Sequence, residues 1–131
     1  MAILIDSSVW IDWLRNSVDP RPLLKPWIYR GDCLICGIVK LEVLRGIIHA
    51  AQRDKVSRFF ELLQEIELDR ELCDAAAERA WKLDREGKVL GISDLLIAEC
   101  AIQKRAWLVT LDKDFDVIKG LKTRKALPRL R

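Results

Sequence analysis

The sequence has little of what zinc-binding, secreted and membrane-spanning proteins need. It has one histidine, and its four cysteines include a single close pair, Cys33 and Cys36. That pair lies in an apolar run typical of a strand, which disfavours a zinc or redox site, so we expect buried, reduced thiols. The chain has no apolar run near the roughly 20 residues that cross a bilayer. It also shows no signal peptide, so a cytoplasmic protein with no membrane association is expected.

Internal repeats, low-complexity segments and linkers are also missing from the sequence. A chain of 131 residues is the size of one domain and is long enough to bury a core. Apolar residues make up 50% and charged residues 33%, a composition that is not typical of disordered chains. Residues 1–131 are therefore predicted to form a single domain.

Acidic residues are absent from the segment Val117 to Arg131, which is rich in lysine and arginine. A basic segment of this kind favours binding to the phosphates of a nucleic acid. The alternative is a solvated basic tail without a ligand. The cations predicted to bind these phosphates are Lys119, Lys122, Arg124 and Lys125.

Short apolar runs alternate with helical patterns along the chain. Strands are predicted at Ile3–Ile5, "CLICG", "IELD" and "WLVTLD", with an edge strand in "LKTRKAL". This alternation predicts an α/β domain around a parallel sheet, in which ligands bind beyond the carboxyl ends of the strands. Asp6 follows the first strand and Asp112 follows the fourth, so their carboxylates converge if those strands are neighbours.

Four acids interrupt or end apolar segments: Asp6, Glu42, Asp94 and Asp112. Each has an ordinary explanation when taken singly. Glu42 could face solvent, Asp94 could complement a helix dipole, and Ser7 or Ser8 is expected to cap the helix after Asp6. Taken together, clustered carboxylates repel one another unless a cation joins them. Oxygen ligands without histidine or cysteine suit Mg²⁺ or Mn²⁺, the metals of phosphodiester hydrolysis.

These segments resemble the PIN-domain ribonucleases and, within them, the VapC-type toxins of toxin–antitoxin pairs. The matching pieces are "ILIDSSVWIDWL", "KLEVLRG", "GISDLLIAECAI" and "WLVTLDKDF", in the order of the family and over almost the whole chain. The resemblance implies a flavodoxin-like, three-layer α/β/α PIN fold with a parallel sheet of order 3-2-1-4-5. It also implies a Mg²⁺- or Mn²⁺-dependent endoribonuclease that a cognate VapB-type antitoxin inhibits.

The resemblance also assigns roles to individual residues. The catalytic acids are Asp6, Glu42, Asp94, Asp112 and Asp114, of which Asp6, Asp94 and Asp112 are the expected metal ligands. Asp112 and Asp114 are expected to share one corner of the site. Ser8 and Thr110 match small hydroxyl residues that orient the acids around the metal.

The expected partners are an RNA substrate, the antitoxin and a second copy of the chain. Exposed Trp27 or Trp81 could contribute to such a homodimer. An antitoxin helix is expected in an apolar groove between two helices, one with Trp10, Trp13 and Leu14 and the other with Val43, Leu44 and Ile47.

Three other interpretations stay open at this point. A phospho-accepting receiver module would use Asp69 as its acceptor, but it needs a second acid beside Asp6 and gives no role to Glu42 or Asp94. A PIN fold without catalysis would serve as a binding scaffold. A housekeeping PIN nuclease in RNA maturation would keep the acids and lack the antitoxin.

Overall fold

A computed structural model describes residues 1–130, so the terminal Arg131 of the basic segment lies outside the described residues. Five parallel strands form one sheet in the order β3-β2-β1-β4-β5, which confirms the predicted topology. The strands are β1 (Ile3–Ile5), β2 (Cys33–Cys36), β3 (Gln64–Ile66), β4 (Trp107–Val109) and β5 (Thr123–Arg124).

Helices connect the strands and flank the sheet. They are α1 (Ser7–Arg15), α2 (Pro20–Tyr29), α3 (Gly37–Arg45), α4 (Ala50–Phe60), α5 (Arg70–Arg85) and α6 (Ile92–Gln103). A short 3₁₀ helix, Lys113–Val117, follows β4. Within residues 1–130, none of these helices has both the length and the apolar character that crossing a bilayer requires.

The middle of the sheet is apolar on both faces. Every residue of β1 and β2 is buried, whereas only Ile66 is buried in β3 at the edge. Central parallel strands are covered on both sides by helices, which explains why they read as continuous apolar runs. The predicted third strand, "IELD", was placed too late, because Asp69 begins α5 by accepting the backbone N–H of Leu72 at 2.9 Å.

Helix α2 continues through Pro26, which is exposed. Its inner face carries Leu24 and Trp27, whose exposed fractions are 0% and 2%. The prediction that Trp27 is exposed and available to a dimer was therefore wrong, since the indole is part of the core. Trp81 on α5 is exposed, as expected.

Helix α6 is buried around most of its circumference, as its apolar sequence predicts. It begins at Ile92 with Gly91 at the N-cap, so Ser93 lies in the first turn and is not the cap. The buried Glu99 accepts a hydrogen bond at 2.7 Å from Nε of Arg79 on α5. This ion pair ties α6 to α5.

The cysteines are free thiols, as expected. Cys33, Cys36 and Cys100 are buried, and burial raises the pKa of Cys33 to about 12. Cys73 is exposed on the outer face of α5, so the expectation of burial was wrong for this residue.

Candidate active site

The site begins where two neighbouring strands end. Ile5 and Val109 are paired in β1 and β4, and the backbone N–H of Asp6 donates to the carbonyl of Val109 at 2.9 Å. Asp6 and Thr110 therefore leave the sheet side by side. This is the carboxyl edge at which parallel sheets bind ligands.

Asp6 is buried, with 4% of its surface exposed, and two hydroxyl groups hold its Oδ2 atom. Ser8 donates to this oxygen at 2.7 Å and Thr110 donates to it at 2.8 Å. The same hydroxyls accept backbone N–H groups, Ser8 from Leu111 at 3.1 Å and Thr110 from Asp112 at 3.0 Å. Ser8 and Thr110 thus orient Asp6 and the backbone before Asp112 together.

Ser7 joins the first helix to the third. Its hydroxyl donates to Oε1 of Glu42 at 3.1 Å and lies 3.5 Å from Oδ1 of Asp6. Helix α1 begins at Ser7, and Asp6 is at the N-cap position. The expectation that Ser7 or Ser8 caps this helix was therefore wrong. Sequence reasoning missed Ser7 as a link between two acids. The signal was present, since two serines follow Asp6 where one cap suffices.

Three acids come together beside Asp6. One carboxylate oxygen from each of Asp94, Asp112 and Asp114 lies within 4.8 Å of the other two. Asp94 opens α6, while Asp112 precedes the 3₁₀ helix and accepts the N–H of Asp114 at 2.9 Å. The cluster thus contains two of the expected metal ligands, Asp94 and Asp112, together with Asp114. Asp6, the third expected ligand, lies outside it.

The pKa of Asp94 shows that the carboxylates of the cluster repel one another. Burial and the negative charges of nearby acids together raise the pKa of Asp94 from 3.8 to about 6. Burial is the largest cause, followed in order by Asp112, Asp6, Glu42 and Asp114. The other four predicted acids are thus all close enough to Asp94 to influence its carboxyl group. A bound cation relieves this repulsion, and a set made only of carboxylates suits Mg²⁺ or Mn²⁺.

A family model for the PIN domain matches residues 3–121. The chain belongs to the PIN-domain family. It is 31% identical over 123 residues to the VapC ribonuclease Mb1587 of Mycobacterium bovis, a match that covers 88% of this chain and 90% of that protein. Ribonuclease VapC11 of Mycobacterium tuberculosis matches with the same identity and coverage.

Solved structures of VapBC complexes have the same fold. VapBC2 of Rickettsia felis, bound to a promoter DNA fragment, matches with a TM-score of 0.79 and 24% identity, over 95% of this chain and 98% of that one. DNA-bound VapBC of Salmonella typhimurium matches with a TM-score of 0.78 and 18% identity, over 95% and 97% of the two chains. The receiver interpretation is not favoured by these matches, and Asp69 serves this PIN domain as a helix cap.

Two of the four predicted RNA-binding cations share one aromatic ring in this PIN domain. Lys122 and Arg124 lie over the ring of Trp107, and Lys125 is exposed beyond them. Lys119 borders a different cavity, which Arg79 and Lys82 of α5 also line. Trp107 was not among the predicted site residues, because an aromatic residue at the start of a strand usually serves the core.

An apolar groove of about 580 Å³ runs along α1 and α4 of the PIN domain. Its lining includes the predicted Trp10, Trp13 and Leu14 and, in addition, Val18, Phe59 and Leu62. The residues of the second predicted wall do not line this groove. Val43 is core, and Leu44 and Ile47 are partly buried against the core. Helix α4 supplies the second wall instead.

Proposed function

We propose that this PIN domain is a Mg²⁺- or Mn²⁺-dependent endoribonuclease and the toxin of a VapBC-type pair. The observation that carries the proposal is the convergence of five acids, from four separate segments of the chain, at the carboxyl edge of the sheet. The names of its relatives, VapC ribonucleases, support RNA as the substrate.

Asp94, Asp112 and Asp114 would hold the metal ion, with Asp6 beside them. The raised pKa of Asp94 fits this role, because carboxylates that converge on one point repel one another until a cation binds between them. When bound, a divalent ion would offset the charge that develops on the phosphoryl group and lower the pKa of a water molecule.

The remaining side chains prepare the site. Ser8 and Thr110 fix Asp6 in one orientation, and Ser7 aims Glu42 toward the same space. Hydrogen bonds to ligating carboxylates keep them in position, and their loss typically lowers activity or metal affinity by about 10- to 100-fold. Lys119, Lys122, Arg124 and Lys125 remain the proposed RNA-binding cations, acting on phosphates outside the acidic cluster.

The groove between α1 and α4 is the proposed docking surface for the antitoxin. Its walls are apolar, and its rim carries Arg21, Lys55 and Arg58 against a single acid, Asp19. An amphipathic helix with acidic residues beside its apolar anchors complements this rim. The relatives of known structure that contain VapB with VapC support such a partner.

We also propose a homodimer in the cytoplasm, where its RNA substrate is found. Exposed apolar side chains of the α5–α6 region, Trp81, Val89 and Ile92, offer surface for a second copy. Light scattering of the purified chain measures the mass directly, and a monomer at micromolar concentration contradicts this part of the proposal.

The nuclease proposal is tested by RNA cleavage with purified protein. We expect cleavage to stop in EDTA and to return with Mg²⁺ or Mn²⁺. Asp6→Asn and Asp94→Asn should each lower the rate by about two orders of magnitude or more, as expected for losing a key electrostatic group. Asp116→Asn is the matched control, because Asp116 is an exposed acid just past the cluster. Full activity in EDTA, or equal losses in all three variants, contradicts the proposal.

The toxin proposal has its own test. A small open reading frame directly upstream, co-expressed with this chain, should yield a co-purifying protein that stops RNA cleavage. A chain that is harmless to its host and purifies alone in active form supports the housekeeping alternative instead.

A further inference from the structure

Two cations share one aromatic ring at the edge of the sheet. Nζ of Lys122 lies 5.7 Å from the centroid of the Trp107 ring, and Cζ of Arg124 lies 5.2 Å from it. Trp107 begins β4, and on the neighbouring edge strand β5 Lys122 comes directly before the first residue and Arg124 is the last. Within residues 1–130, neither cation has an acidic side chain within ion-pair distance.

Holding Lys122 and Arg124 at one ring involves unfavourable and favourable contributions to the free energy. Two like charges held side by side repel each other, and long exposed side chains lose rotamer freedom when they are fixed. The negative face of the indole attracts both cations and offsets these terms in part. An anion between the two side chains would remove the remaining repulsion. The indole therefore prepares two cations for a ligand that carries negative charge.

The position of these cations relates them to the acidic site. The carbonyl of Arg124 accepts the backbone N–H of Thr110 at 2.8 Å, and the Thr110 side chain donates to Asp6. Trp107 begins β4 and lies three residues before Thr110, which follows the strand, so the two backbones are about 10 Å apart along the strand direction. A phosphate bound at the ring is therefore a different phosphate of the RNA strand from the one at the acids.

We propose that Trp107 is a positioning residue that holds Lys122 and Arg124 as a phosphate clamp for the single-stranded RNA flanking the cleaved bond. The guanidinium of Arg124 binds phosphate oxygens in pairs, and the ammonium of Lys122 adds a point charge. This inference rests on the proposed ribonuclease function. It differs from a general basic surface, because it requires the aromatic ring to act through the two cations.

The test measures binding of a short single-stranded RNA with 2′-O-methyl groups that resist cleavage, across a series of salt concentrations. Each phosphate contact on single-stranded RNA contributes about 0.7 to the slope of log affinity against log salt. We expect Lys122→Gln and Arg124→Gln each to lower the slope by about that amount. Arg85→Gln is the matched control, because Arg85 lies 4.7 Å from the Trp81 ring in a similar pair on α5. Its slope should stay at the wild-type value.

The role of the ring is tested by a double-mutant cycle. Trp107→Leu should weaken RNA binding by about 2- to 5-fold, the range of an exposed cation–π contact, while Trp107→Phe should keep most of the affinity. In the Lys122→Gln/Arg124→Gln background, Trp107→Leu should have no further effect. An equal loss in both backgrounds overturns the proposal, because the ring then acts without the cations, through the fold or by touching RNA directly.

The result separates this proposal from the proposed function. Unchanged salt slopes for both cation variants overturn the clamp even if the chain cleaves RNA in a metal-dependent way. Conversely, slopes that fall as expected support the clamp even if cleavage is never observed. A chain that binds no RNA at all overturns both.

Discussion

Asp94 is the residue at which the opposing requirements of this site meet. Its position in the first turn of α6 favours negative charge, whereas burial and four neighbouring carboxylates oppose it. The raised pKa shows that the second influence is the larger one. The ionised Asp94 side chain therefore destabilises the folded protein when no cation is bound to the cluster.

The first prediction concerns stability against pH. A carboxyl group whose pKa is 3.8 unfolded and about 6 folded binds its proton more tightly in the folded state. The contribution of Asp94 to the stability of the metal-free protein should therefore fall as pH rises from about 4 to 6 and stay at the lower value above it. The full shift corresponds to about 3 kcal/mol, and solvent screening at this partly exposed site reduces it to about 1.

Asp94→Asn removes this effect. In EDTA above pH 6.5 the variant should be about 1 kcal/mol more stable than the wild type, and its urea midpoint should vary less between pH 4 and 6. Asp116→Asn should behave as the wild type. A less stable Asp94→Asn protein means that the carboxylate supports the fold.

The second prediction concerns Thr110. Thr110→Val keeps the shape of the side chain but removes the donor to Asp6 and the acceptor for the N–H of Asp112. The rate of RNA cleavage should fall by about 10- to 100-fold. Thr123→Val is the control, since the Thr123 hydroxyl contacts only the exposed Asp116, at 3.4 Å. Equal rates for the two variants contradict the orienting role.

At the scale of secondary-structure elements, the packing of α6 against α5 fixes the position of the Asp94 side chain. Helix α6 has apolar residues on nearly all sides, so its sequence does not specify its rotation. Glu99 supplies that information through Arg79, because a buried carboxylate must meet its partner. The same rotation directs the first turn of α6 toward Asp112 and Asp114.

The third prediction tests this pair. Arg79→Met leaves the charge of Glu99 buried and unpaired, which should cost about 3 kcal/mol in the free energy of unfolding. Replacing both residues, Arg79→Met with Glu99→Leu, should restore most of it. Lys82→Met is the control, since Lys82 pairs with Glu78 in the open at 3.5 Å, and its effect should stay within about 0.5 kcal/mol. Urea denaturation measures all three.

The fourth prediction concerns the groove between α1 and α4. Leu62→Asp places a negative charge on its wall, where Leu62 is 60% exposed. Affinity for the antitoxin should fall by about 30-fold, as for a central apolar contact. Ile48→Asp is the control, because Ile48 is 91% exposed and lies outside the groove. Similar losses in both variants place the antitoxin elsewhere.

At the scale of the whole molecule, the proposed metal site would couple ion binding to folding. They come from four segments, which meet only when the sheet and helices are assembled. A metal ion that binds this arrangement binds the folded state alone, and its affinity therefore adds to stability.

The fifth prediction follows from this coupling. Mg²⁺ at about 100 times its dissociation constant should stabilise the protein by about 2.7 kcal/mol, which is about 10 °C in melting temperature for a chain of this size. The shift should be much smaller in Asp94→Asn and unchanged in Asp116→Asn. If Mg²⁺ does not change the melting temperature of the wild type, the result contradicts a metal site at the cluster.

The sequence by itself determined the apolar strands, the α/β class and the acids that end apolar segments. A continuous apolar run such as Ile3–Ile5 indicates a strand that is buried on both faces of the sheet. A carboxylate directly after such a run is unusual and is therefore easily recognised in the sequence. The resemblance to PIN domains supplied the strand order, and the structure confirms it. These features are local in the chain, so a pattern of neighbouring residues can carry them.

Only the tertiary structure decided which groups touch. Sequence spacing could not show that Ser7 reaches Glu42, or that Asp94 meets Asp112 and Asp114, because Glu42 and Asp94 come from other elements than their partners. Trp27 and Trp107 show the same limit, since the first is core and the second carries two cations. Burial and contact depend on how helices rotate against the sheet. That rotation is set by the packing of the whole core, which no short segment contains.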